Sequence, residues 1–79
     1  MNALRYEAII AIHIHQIKSG KGKPKDFVQI GNSYVNLGEK EKAVRAFNKA
    51  ISALRTMQSP AASDEITRIE SYIQKINNQ

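Results

Sequence analysis

Apolar residues recur along this chain at intervals of three and four, the period of an α-helix with one buried face. The C-terminal stretch is the clearest case. Ala62, Ile66, Ile69, Ile73 and Ile76 form one narrow stripe, with Asp64, Arg68, Glu70 and Lys75 around it. Asp64 and Arg68 lie one turn apart and are expected to pair weakly. Valine and threonine are scattered and no segment alternates at period two, so no strand is predicted.

Punctuation divides the pattern into four helices, over residues 2–19, 25–37, 39–57 and 60–77. Asn2 is placed to cap the first. Ser19-Gly20-Lys21-Gly22-Lys23-Pro24 reads as a loop, because two glycines and a proline interrupt any helix. Pro24 to Asp26 suit the opening of the second helix, and Gly38 its end. Ser59-Pro60 reads as an N-cap and first helical residue, with Ser63 as a later alternative.

The first helix carries more apolar circumference than one-sided packing needs. Tyr6, Ile10, His13, Ile14 and Ile17 make one stripe, while Leu4, Ile9 and Ile12 occupy much of another. Two arrangements account for this: the helix lies between two neighbours in the fold, or part of it faces another chain.

The middle of the chain has the most specific spacing. Phe27, Ile30, Gly31 and Tyr34 fall in the second helix, Gly38 in the turn, and Ala43, Phe47 and Ala50 in the third. A glycine inside a helix costs about 1 kcal/mol relative to alanine, so Gly31 calls for a packing reason. Gly31, Ala43 and Ala50 are small residues that let two antiparallel helices approach, with Phe27, Tyr34 and Phe47 filling the volume around them. These eight positions resemble the signature of the tetratricopeptide repeat, a helix–turn–helix unit of about 34 residues. Phe27 replaces the family's usual tryptophan and Ile30 its leucine; Arg55 stands near its usual proline, so the third helix is expected to run long, with Ser59-Pro60 as the stop.

The resemblance covers one repeat, residues 24–57, and implies an all-α fold of antiparallel helical hairpins in a single domain over residues 1–79. Residues 1–23 then supply a flanking helix and basic loop, and residues 58–79 a capping helix with a polar outer face. Such arrays usually hold about three repeats, so self-association through the first helix, or membership of a longer array, is also expected. The family's groove is lined by the first helix of each repeat, which by resemblance places Lys25, Val28, Gln29, Asn32, Val35 and Asn36 toward a peptide or partner helix. Val28 stands where the family's carboxylate clamp has lysine, so clamp binding is not expected.

Composition narrows the remaining chemistry. Cysteine is absent, which removes disulfides, thiolate nucleophiles and thiolate zinc sites. His13 and His15 are two apart and point to different helix faces, so neither metal ligation nor catalysis is expected; the plainer reading is a packed or snorkelling histidine. No nucleophile elbow is present, and Asp64-Glu65 suits the dipole of a first turn. No catalytic residue, metal site or cofactor is therefore expected, and the chain reads as a non-enzymatic protein-interaction adaptor or assembly module. Its most apolar run, Ala8 to Ile17, is too short and too interrupted to cross a membrane, which leaves a cytoplasmic setting as the default.

Charge supplies the alternative. The chain has a net charge of +5, and residues 1–25 hold five Lys/Arg against one Glu. Lys18, Lys21 and Lys23 cluster with Lys25 around the glycine loop, a candidate anion-binding element for nucleic acid or another polyanion. The Gly20-Lys21-Gly22-Lys23 run lacks the strand and spacing of a phosphate loop. A third reading is a structural homodimer built on the first helix.

Overall fold

Glycine and proline set several of the helix ends in this chain, and the backbone shows how. In a computed structural model, residues 3–79 are described and fold into α1 (Ala3–Lys18), α2 (Pro24–Asn36), α3 (Lys40–Arg55) and α4 (Pro60–Asn77). Among the described residues there is no strand. The protein is all-α, as the apolar period predicts. Asn2, the expected cap of α1, lies outside the described residues.

Two glycines close two helices by the same geometry. Gly20 and Gly38 adopt φ of 82° and 78°. After Gly20, the Lys21 amide donates to the Gln16 carbonyl at 3.1 Å; after Gly38, the Glu39 amide donates to Tyr34 at 2.9 Å. Each is a six-to-one bond of the Schellman type, which satisfies carbonyls that the helix end would otherwise orphan. Ser59 caps α4 by accepting from the Ala62 amide at 3.1 Å, with Pro60 next, so the earlier of the two expected starts is the one used.

α3 ends at Arg55, two residues short of the expected boundary. The Thr56 hydroxyl donates to the Ala53 carbonyl at 2.7 Å, the Met57 amide donates to Leu54, and Gln58 then takes φ of 50°. This local turn stops the helix before Ser59-Pro60. Arg68 likewise departs from expectation: it pairs with Glu65 at 3.3 Å, three residues earlier, rather than with Asp64.

Each helix packs chiefly on the one before and the one after it. The result is a sheet-like layer of helices with Cα extents of 37 × 34 × 16 Å. The larger core lies among α2, α3 and α4, where Ala43, Phe47, Ala50, Ile69 and Ile76 are buried. The smaller joins Ile10 of α1 to Ile30 of α2 and Ala46 of α3. The stripe on α4 is therefore the buried one, with Ile69 fully enclosed.

The close contact expected at Gly31 is between α2 and α3. A Cβ on Gly31 would stand 2.7 Å from the Phe47 ring, and Ala43 and Ala50 are fully buried beside Phe47. α1 is less enclosed. Ile10 is its buried residue, Ile14 and Ile17 are half-buried, and Leu4 and Ile12 stand 76% and 59% exposed. As to the two arrangements open for α1, the structure shows α1 packed chiefly on α2, touching the smaller core that also holds Ala46 of α3, with its outer stripe bare.

Candidate functional site

α2 is held by neighbours on two sides and open on a third. Asp26 and Ile30 turn toward α1 and Ser33 is buried, while Gly31 abuts Phe47 of α3. The residues expected to line a groove share the remaining face: Lys25, Gln29, Asn32, Val35 and Asn36 are exposed, and Val28 is half-buried against the larger core. At 3.6 residues per turn these six positions form a continuous stripe along α2. Asn36 donates its side-chain amide to the Asn32 carbonyl at 2.9 Å, so that amide is occupied within the helix. The side chains of Gln29 and Asn32 supply donors and acceptors beside two valines.

Lys18, Lys21 and Lys23 are exposed around the loop between α1 and α2. Among the described residues no hydrogen bond or ion pair from their ammonium groups holds the loop. It rests on the positive φ of Gly20, on Gly22, where a Cβ would stand only 2.9 Å from Ile17, and on Asp26. Asp26 Oδ2 accepts from the Lys23 amide at 2.7 Å, and the Asp26 amide donates back to the Lys23 carbonyl at 2.9 Å.

Asp26 has a second partner that spacing did not reveal. His13 Nδ1 donates to Asp26 Oδ1 at 2.6 Å, joining α1 to the first turn of α2. The histidine bond, with the Lys23 amide behind it, holds the Asp26 carboxyl below its ordinary value of 3.8. His13 is thus neither free nor merely packed: it braces the hairpin of α1 and α2. His15 is exposed on another face. Among the described residues no group of three or more His, Cys, Asp or Glu is arranged to hold a metal ion, and no helix is long and apolar enough to cross a membrane.

An apolar concavity lies not on the stripe of α2 but roughly opposite it. Phe27, Ile30 and Tyr34 floor a half-open cavity of about 430 Å³ between α1 and α3. Ile14 and Ile17 form the α1 wall and Ala46 belongs to the α3 wall. Four cations stand at its edges: Lys18 from α1, and Lys42, Arg45 and Lys49 from α3. Lys42 is partly engaged, at 3.6 Å from Glu39 and 5.8 Å above the centre of the Tyr34 ring. The other three meet no carboxylate among the described residues. The signal for this ridge was present in the sequence, since Lys42, Arg45 and Lys49 are three and four apart and so share a helix face.

Comparison of the chain with models of known families, with curated proteins and with solved structures finds no match in any of the three.

Proposed function

We propose that this protein is a non-enzymatic interaction module that takes a peptide or partner helix along the open face of α2. The observation that carries this reading is the stripe from Lys25 to Asn36, exposed at five positions and half-buried at Val28, on a helix otherwise held by α1 and α3. Amide side chains at Gln29 and Asn32 serve a peptide backbone, and Val28 and Val35 offer shallow apolar contact to its side chains. The spacing from Phe27 to Ala50 supports a tetratricopeptide-like hairpin as the scaffold, with α4 as the cap. The same reading carries a cytoplasmic setting as its default.

The test is selection of ligands from a displayed library of random peptides, followed by binding to the Asn32→Ala and Val35→Glu variants. Ligands of the wild-type protein are expected to lose most of their affinity for both variants. Ligands that bind the variants as well as the wild type would move the recognition surface off α2.

A further inference from the structure

On the far side of α2 the cavity and the ridge above it combine two properties that the α2 stripe lacks: an apolar floor and a row of like charge. We propose that this groove between α1 and α3 is a second binding site, for an acidic amphipathic helix of a partner protein, independent of the α2 face. The apolar part of the site is continuous from Ile14 and Ile17 across Phe27 and Tyr34. It accepts one or two branched side chains from the occupant, because its volume falls in the range of ordinary ligand pockets, roughly 300–1,000 Å³.

Charge complementarity identifies the occupant. Lys42, Arg45 and Lys49 sit at i, i+3 and i+7 on α3, a row about 10 Å long at 1.5 Å per residue. A partner helix lying along the groove presents residues with the same period, so carboxylates spaced by three and four along it meet this row while its apolar stripe enters the cavity. Lys18 faces the same opening from α1 and meets the occupant's other flank. A single-headed anionic amphiphile would need its cations gathered at one point, and a bare polyanion would leave Ile14, Ile17 and Phe27 unused. The row of charge and the apolar floor are used together only by an amphipathic acidic helix. Arg45 and Lys49 carry no ion pair among the described residues, so binding does not first require an internal bridge to break there.

The experiment uses the full chain and two synthetic helices: one with a leucine stripe flanked by glutamates, and its counterpart with lysine in place of every glutamate. Fluorescence anisotropy with each is measured on wild type, on Arg45→Glu plus Lys49→Glu, and on Asn32→Ala plus Val35→Glu. Circular dichroism melts confirm that the exposed substitutions leave the fold intact. Saturable binding of the acidic helix is expected, weakened at least about tenfold by the charge reversal and unchanged by the α2 variant, with the reversed protein gaining affinity for the lysine helix. Absence of saturable binding at roughly millimolar acidic helix overturns the proposal, as does equal binding to the reversed variant. Preference for a short DNA duplex over the acidic helix, lost steeply between low and moderate salt, overturns it in favour of a polyanion site. Weakening by the α2 variant alone would transfer the acidic helix to the α2 face.

Discussion

His13 and Asp26 meet at 2.6 Å, thirteen residues apart, and this bond ties the middle of α1 to the first turn of α2. The same carboxylate caps α2 by accepting from the Lys23 amide. One side chain therefore fixes both the start of a helix and its angle to the preceding one. The apolar contact between these helices is small, centred on Ile10 and Ile30, so a polar brace matters more here than between α2 and α3.

The brace predicts a particular dependence on pH. Asp26 is held below its ordinary value of 3.8 by the His13 bond first and the Lys23 amide second. A carboxyl whose folded value is depressed stabilises the protein above its unfolded value, and that contribution is lost as pH falls through the folded value. Wild type is expected to exceed Asp26→Asn in thermal midpoint near neutrality, with the gap narrowing as pH drops below about 4. Parallel melting curves of the two proteins from pH 7 to well below pH 4 (a gap that never closes) would show that the charge of Asp26 is not what stabilises the hairpin.

Gly31 sits against the Phe47 ring with no room for a side chain. Helix propensity favours alanine over glycine by about 1 kcal/mol, while overpacking a core costs about 1–3 kcal/mol. Gly31→Ala is therefore expected to be neutral to destabilising in spite of propensity, and Gly31→Leu to be destabilising by about 3 kcal/mol or more. Thermal melts measure both. An unchanged midpoint in Gly31→Leu would mean that α2 and α3 do not rely on this close approach.

Gln58 is the one residue other than glycine with positive φ among those described, and it is exposed. The left-handed region costs an ordinary residue about 1 kcal/mol, which glycine escapes at the expense of a more flexible unfolded chain. Gln58→Gly is expected to raise stability by a few tenths to about 1 kcal/mol in denaturant titration, while Gln58→Val lowers it. A loss of stability in the glycine variant would mean that the turn into α4 holds its shape without strain.

What the sequence made legible follows from range. Period and punctuation are local, so four helices and the stripe on α4 could be read from spacing alone. Gly31 was legible because a glycine inside a helix has to be explained by something outside it. The third helix ends earlier than its spacing predicts because its end depends on the Thr56 hydroxyl and a left-handed Gln58, and neither residue type signals this. The His13–Asp26 bond and the cavity floor depend on how α1 folds back across the loop, which no spacing within one helix encodes. The basic ridge is legible in the spacing of residues 42, 45 and 49, although lysine is denser around the loop.

The outer face of α1 yields the last prediction. Leu4, Ala8 and Ile12 are four residues apart and exposed, on a helix that packs chiefly on α2. Leu4 and Ile12 together present more bare branched apolar surface than any other described helix, and covering it removes it from water at about 25 cal/mol per Å². The expected outcome is self-association through α1. Light scattering across a concentration series should show mass rising above the 8.9 kDa of one chain, and Leu4→Lys plus Ile12→Lys should hold it there. A wild-type mass constant at 8.9 kDa would show that the bare outer face of α1 does not drive self-association.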